Sequence, residues 1–169
     1  KSYYECYRFS RYNNKLFGDI WRKVCMIELV YIPEDMVDGS WKHVEKDVAD
    51  ALARSNGYAL ASNIKQWIKD KKMQLWILWD NDNKEAPYYG VVVTEILQRP
   101  LKRCLNIRIM TGHHREKWQH LIKNIEKFAW DNKCDSMELI ARPGWQKVLS
   151  RFGYNRTHVL LEKNNKEKK

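Results

Sequence analysis

The clearest pattern of hydrophobic and polar positions lies in the C-terminal half of the chain. At residues 105–110 aliphatic and polar side chains alternate, which is typical of a β-strand with one face on a core. After Thr111-Gly112 the spacing changes to three and four, which predicts one stripe of an α-helix from Glu116 onward: Trp118, Leu121, Ile122, Ile125, Phe128 and Ala129. This change of period predicts a strand-turn-helix corner, whose first amide groups can hold an anion.

Strand and helix signals continue to the end of this half. Residues 137–140 have the pattern of a second strand, which would run parallel to the first because the helix between them acts as a crossover. Pro143-Gly144 then leads into a short helix at residues 145–151, and Gly153 ends it. A last apolar run at residues 157–161 predicts the strand that closes the sheet.

This order of elements, together with the Phe152-Gly153-Tyr154 triplet, resembles the C-terminal half of the GNAT superfamily of acyl-CoA-dependent N-acyltransferases. The Thr111-Gly112 turn and the Ala141-Arg142-Pro143-Gly144-Trp145 segment also resemble small GNAT-like proteins of bacteriophages. The resemblance implies an α/β (α+β) fold with one mixed central sheet and helices on both faces, formed as a single domain.

The N-terminal half shows one strand, two helices and then further strands, which is the order of the GNAT fold. The predicted elements are a strand at 26–31, helices at 41–54 and about 63–71, and hairpin strands at 74–79 and 88–97. Ser40 is the expected N-cap of the first helix and Asn56-Gly57 its end. Asn81-Asp82-Asn83 is expected to form the hairpin turn.

Length and composition limit the class of protein. With 169 residues, 44% of them hydrophobic, the chain can build one core but not two ordinary domains. No apolar run approaches a membrane span and the first residues lack a signal peptide, so we expect a cytoplasmic protein with no membrane partner. For a phage protein the place would be the host cytoplasm or the virion. Scattered cysteines predict reduced thiols and no metal site: Cys6, Cys25, Cys104 and Cys134.

The formal net charge of +10 is concentrated at the chain ends. Residues 1–25, an aromatic extension, hold six Lys/Arg against two Asp/Glu, and the tail at residues 163–169 holds four against one. The GNAT-like domain at residues 26–162 is nearly balanced. Since a charge run at a chain end is usually a solvated tail, nucleic-acid binding is the less favoured interpretation.

The resemblance also implies that the corner after the first C-terminal strand binds the pyrophosphate of coenzyme A. The candidate cofactor-binding residues are Met110, Thr111, Gly112, His113, His114, Arg115 and, beyond the corner, Arg142. The two glycine positions of the family motif hold Glu116 and Trp118, an acidic side chain that repels phosphate and an indole that fills space. If Trp118 plugs the cradle, Trp118→Gly should raise coenzyme affinity. An exposed polar turn is the alternative interpretation of the two histidines.

Catalytic candidates are few. Glu95 is the candidate for the base or water holder that the family places on its central strands, with Asp80 as the second; a solvated strand end is the alternative for Glu95. The position of the usual tyrosine acid holds Leu149, which cannot protonate a leaving thiolate.

Three functions therefore stay open. The favoured one is a divergent N-acyltransferase that moves an acetyl group from acetyl-CoA to an unknown amine. The second is a GNAT-fold interaction protein without catalysis, a phage particle component or host-factor binder that binds its protein partner through residues 1–25 and the basic tail at residues 163–169. A nucleic-acid binder is the third.

Overall fold

The computed structural model describes residues 27–55 and 58–163. The chain forms two compact units, one ending at Leu139 and the other beginning at Ile140. The aromatic extension, Met26, the Asn56-Gly57 break and all of the basic tail except Lys163 lie outside the described residues.

The first unit follows the predicted order of strands and helices. Its elements are β1 (Ile27–Ile32), α1 (Val37–Ala53), α2 (Ala61–Lys69), β2 (Gln74–Asp80), β3 (Tyr88–Arg99), β4 (Lys102–Gly112), α3 (Arg115–Trp118), α4 (Ile122–Asp131) and β5 (Ser136–Leu139). Short 3-10 turns at Glu34–Met36 and Gln119–Leu121 lead into α1 and α4.

The five strands form one mixed sheet in the order β1-β2-β3-β4-β5. The first four are antiparallel neighbours, and β5 runs parallel to β4, as the crossover predicts. The register slips by one residue at Tyr89 in β3 and at Arg108 in β4, where each strand carries an extra residue. The predicted mixed sheet is confirmed.

Helices α1 and α2 cover one face of this sheet. Their buried stripe packs on strand side chains in a single core cluster that includes Val37, Trp41, Val44, Val48, Leu52, Ile64, Ile68, Leu75, Ile77, Val91, Val93 and Ile109. The predicted stripe of α1 is confirmed, but the helix begins at Val37, so the prediction of Ser40 as its N-cap is wrong. Val37 is fully buried, and its packing draws the helix start four residues upstream of the predicted one.

Helix α4 covers the opposite face. Ile122, Ile125 and Ala129 are buried, and the ring of Phe128 meets Trp76 of β2 edge-on at 4.9 Å between centroids. Helices α1 and α2 thus lie on one face of the sheet and α4 lies on the other. The predicted arrangement of helices on both faces is confirmed.

The alternation along β4 predicted a strand with one buried face, and the structure differs. Ile109 belongs to the core under α1, whereas Ile107 lies opposite Thr94, whose hydroxyl accepts a 3.0 Å hydrogen bond from Trp76 on the α4 face. The extra residue Arg108 separates the two isoleucines onto opposite faces. Both faces of β4 are therefore buried, not one.

The second unit contains α5 (Pro143–Leu149), a 3-10 turn at Ser150–Phe152, and Gly153 with a left-handed φ of 87° that ends it, as predicted. The prediction of a last strand at residues 157–161 is wrong. Residues 154–163 are neither helix nor strand, and Leu161 is 87% exposed. A β-forming composition makes a strand only where a neighbouring strand pairs its backbone, and the described sheet ends at β5.

Candidate functional site

The end of β4 is fixed against β3 by a pair of facing glycines. Gly112 lies directly opposite Gly90, and a Cβ atom on Gly112 would clash with the Tyr89 carbonyl oxygen. One residue later, the His113 N–H donates a 3.0 Å hydrogen bond to that same oxygen. The corner therefore leaves the sheet at one fixed point.

The predicted strand-turn-helix corner is confirmed, but its helix is not continuous. His114 adopts a left-handed conformation at φ 50° and ψ 47°, and α3 begins at the next residue. Four residues later Trp118 departs from helical geometry at φ −128°, and the 3-10 turn separates α3 from α4.

The indole of Trp118 explains this interruption. Its side chain is buried, and its Nε1–H donates a 2.7 Å hydrogen bond to the His113 carbonyl. The ring thus lies beneath the turn and is tied to its backbone. This geometry argues against the hypothesis that Trp118 plugs a phosphate cradle.

The predicted residues lie together at the corner. Met110, Thr111 and Gly112 end β4, His113 and His114 form the turn, and Arg115 begins α3. The Tyr89 ring stacks on His113 at 5.0 Å between centroids, and the His114 ring lies 5.3 Å from that of His113. Glu116 is exposed, with Oε1 3.7 Å from Nδ1 of His114. The acidic side chain of Glu116 therefore lies beside an imidazole of the corner.

Strand β4 extends beyond its parallel neighbour. Pairing with β5 covers Cys104 to Ile107 and stops at the Ile107–Leu139 pair, while β4 continues to Gly112. Among the described residues of the first unit, no strand pairs with this side of β4 after Ile107. A backbone edge of five residues therefore leads from the bulge to the corner.

A polar cluster lies where the β5 pairing ends, on the face covered by α1. Glu95 accepts a 3.2 Å hydrogen bond from Asn106 Nδ2 and lies 3.4 Å from Nη1 of Arg108, both contacts through its Oε1 atom. Its side chain is only 15% exposed. The alternative prediction of a solvated strand end is therefore wrong for Glu95, because β3 continues to Arg99.

Tyr58 extends this cluster, and Arg54 contacts β4 nearer the corner. The guanidinium carbon of Arg108 lies 4.7 Å from the ring centroid of Tyr58, and Nη2 of Arg54 lies 3.5 Å from the Thr111 hydroxyl. Sequence reasoning missed Arg54, Tyr58 and Arg108. Arg108 occupied an ordinary polar position of an alternating strand, and the bulge that sets its direction has no signal in the sequence.

The other candidates have structural roles or lie in the second unit. Asp80 is buried, and its Oδ1 atom accepts a hydrogen bond from the Asp82 N–H inside the hairpin turn. Arg142 is the N-cap residue of α5 and makes no side-chain capping bond. Leu149, at the position of the family's acid, is a buried residue of the second unit.

The described part of the chain gives no metal site, since no group of three or more His, Cys, Asp or Glu side chains in it could hold an ion. Cys104 and Cys134 are buried free thiols. None of the helices in residues 27–55 and 58–163 is long and apolar enough to cross a membrane.

Tyr88 links β3 to α1 beside the corner. Its hydroxyl donates a 2.6 Å hydrogen bond to Asp47, and burial followed by this carboxylate raises the pKa of Tyr88 above its ordinary value near 10. The stability from this contact should be complete below about pH 10 and be lost as the pH rises toward the raised folded-state pKa.

Tyr88→Phe should therefore reduce the free energy of unfolding by about 1.5–3 kcal/mol at neutral pH, the usual range for a hydrogen bond to a charged group. Urea unfolding from neutral pH to about pH 11 should show the difference between wild type and variant shrinking above about pH 10. A constant difference across that range would contradict the assigned proton position.

Comparison with known proteins finds similar folds, whereas searches with the sequence find no match. No protein-family model and no curated protein matches the chain. Among solved structures, an aminoglycoside acetyltransferase from an uncultured soil metagenomic sample, solved with sisomicin, is 9% identical with a TM-score of 0.59, covering 83% of this chain and 97% of that one. A Brucella melitensis ribosomal-protein-alanine N-acetyltransferase is 13% identical with a TM-score of 0.55, at 82% and 99% coverage. A Trypanosoma brucei acetyltransferase is 9% identical with a TM-score of 0.59, at 83% and 100%.

These structures show that the chain has the GNAT fold of acetyltransferases. The fold class expected from the sequence is confirmed over most of the chain. The narrower resemblance to bacteriophage proteins stays a prediction.

Proposed function

We propose that this protein is an acyl-CoA-dependent N-acyltransferase that moves an acetyl group from acetyl-CoA to an amine. The observation that carries the proposal is the free edge of β4, which leads from the Glu95 cluster at one end to the basic corner at the other. Five residues of strand span about 16 Å, so the edge suits a long, thin ligand with different chemistry at its two ends.

The residues fit coenzyme A at two points. The backbone edge at residues 108–112 offers amide and carbonyl groups, which can pair with the two amides of a pantetheine arm as a strand would. At the corner, Thr111 supplies a hydroxyl, and Arg115 and Lys117 supply positive charge near the first turn of α3. Trp118 does not occupy this space, because its indole is buried and bonded to His113.

When bound, acetyl-CoA supplies a thioester whose C–S bond is replaced by a C–N bond to the acceptor amine. This chain contributes the groups around that amine. Glu95 can hold an ammonium and accept its proton, and Asn106 orients the carboxylate through their 3.2 Å hydrogen bond. With Leu149 at the acid position, the proton for the departing sulfur comes from water.

Calorimetric titration of acetyl-CoA and free coenzyme A into the purified chain tests the proposal. We expect dissociation constants in the micromolar range for both. No heat and no thermal stabilisation at millimolar ligand would contradict it. That result would favour a GNAT fold that serves protein partners without the cofactor.

Arg115→Ala should weaken coenzyme A binding by about 1–3 kcal/mol, the loss expected for one charge-assisted contact, which is roughly 5- to 150-fold in Kd. Lys46→Ala is the matched control, since it removes one positive charge from an exposed site on α1, a different helix. Equal effects of the two variants would remove Arg115 from the site and leave only a general electrostatic contribution.

A further inference from the structure

The polar cluster on the α1 face contains one cation, Arg108, and one anion, Glu95, which make only one contact with each other. Arg108 has five N–H donors, yet its only described polar contact is the 3.4 Å approach of Nη1 to Glu95. Its Nε atom is buried with no hydrogen-bond acceptor among the described residues. A guanidinium in this state can still bind an anion.

Packing, not pairing, holds the Arg108 side chain. The Tyr58 ring lies against the guanidinium at 4.7 Å, which fixes its plane and reduces the entropy lost when a ligand binds. The bulge places Arg108 on the same face as Asn106 and Glu95, so the guanidinium is directed to one place.

Glu95 has the complementary unused capacity. Asn106 and Arg108 both approach its Oε1 atom, and Oε2 has no partner among the described residues. A carboxylate accepts up to about four hydrogen bonds, so Glu95 can bind an ammonium without leaving Asn106. The cluster thus offers one acceptor for a cation and one donor set for an anion, side by side.

The charge of the surrounding surface narrows the ligand further. Arg108 lies beside Glu95, and Arg54 adds a second positive charge further along this face, where it reaches Thr111. A polycationic amine would meet repulsion here, whereas a molecule with one ammonium and one carboxylate would match both signs.

We infer, on the basis of the proposed function, that the acceptor is an amine that also carries a carboxylate, of the α-amino-acid class. Its ammonium binds Glu95 and its carboxylate binds Arg108, whose guanidinium is held in place by the Tyr58 ring. Arg108 is thereby a residue that determines specificity. The cluster stands where the β5 pairing ends, at the opposite end of the free β4 edge from the corner.

Acetyl transfer to matched acceptors tests this assignment. Each proteinogenic amino acid is compared with its amino-acid amide, which keeps the amine and loses the carboxylate. Spermidine serves as the polycationic acceptor. The release of free coenzyme A thiol measures acetyl transfer. For the best acceptor we expect kcat/KM for the acid to exceed that for the amide at least about tenfold, which is 1.4 kcal/mol. Arg108→Gln should abolish this preference, and Lys46→Gln should keep it.

A conservative variant and a binding measurement complete the experiment. Arg108→Lys keeps the charge beside Glu95 but loses the planar fork, so it should also lose most of the preference. In the NMR spectrum of the ¹⁵N-labelled chain, the Arg108 Nε–H signal should shift with the acid and stay in place with the amide.

The outcomes distinguish a failure of the acceptor assignment from a failure of the proposed acyltransferase function. Acetyl transfer without a preference for acids, or a preference that survives in both Arg108 variants, would overturn the acceptor assignment while the acyltransferase stands. A selective shift of the Arg108 signal without transfer to any acceptor would support the binding site and contradict the acyltransferase. No transfer and no shift would overturn both.

Discussion

Trp118→Gly is expected to destabilise the protein by about 3–5 kcal/mol, the usual effect of removing a buried aromatic side chain. The indole fills space beneath the corner, and its Nε1–H satisfies the His113 carbonyl at 2.7 Å. The glycine would leave a cavity, an unpaired carbonyl and a more flexible α3. Urea unfolding followed by circular dichroism measures the change in the free energy of unfolding.

Trp118→Phe is the matched control for this experiment. It keeps an aromatic ring and removes the hydrogen bond to His113, so a smaller loss of about 1 kcal/mol is expected. Coenzyme A affinity should not rise in either variant, because the indole is buried and bonded to the His113 carbonyl. Tighter coenzyme binding by a stable Trp118→Gly protein would restore the plug hypothesis.

Gly112→Ala should be the second most damaging single change, at about 3 kcal/mol. A Cβ atom there would clash with the Tyr89 carbonyl oxygen and lie 2.8 Å from the Gly90 Cα. Both obstacles are backbone atoms of β3, which cannot rotate away as a side chain can. The strands would have to separate, and the His113 hydrogen bond to Tyr89 would be lost with them.

Gly39→Ala provides the control with the opposite sign. Gly39 lies in α1, and an added Cβ atom meets nothing within 4 Å. Alanine is the better helix former by about 0.5–1 kcal/mol, so this variant should be slightly more stable than wild type. If the two alanine variants unfolded at the same urea concentration, the close approach of β3 and β4 would be disproved.

Most of the fold could be predicted from the sequence because the strands and helices follow clear periods. The apolar stripe of α1 and the change of period after Thr111-Gly112 each correspond to a real element. Those signals are local, since they depend only on which side of one segment is buried. They also fixed the place of the corner to within a residue.

The errors arose where the structure depends on contacts that the local pattern does not show. A run such as residues 157–161 has strand composition, but only a neighbouring strand could have made it one. The direction of the Trp118 indole depends on a carbonyl five residues away, and a sequence pattern cannot show whether a bulky side chain points toward a ligand or beneath a turn.

The side chains of the proposed site were the hardest part to predict. Glu95 was found from its place on a central strand, but Arg108 and Tyr58 come from different segments and meet only because one strand carries an extra residue. In contrast, the residues of the corner are consecutive, so their grouping followed from the chain itself.

The bulge at Arg108 makes the chemistry of β4 depend on a residue count. If one residue were deleted there, the strand could resume unbroken alternation and keep its hydrogen bonds to β3. Every side chain from Lys102 to Ile107 would keep its present face, because Ile107 and Ile109 would become consecutive residues that still point to opposite faces. Asn106 and Glu95 would stay together on the α1 face, and the polar cluster would lose only its guanidinium. A single-codon deletion could thus remove the cation of the cluster while leaving the backbone hydrogen-bonding intact.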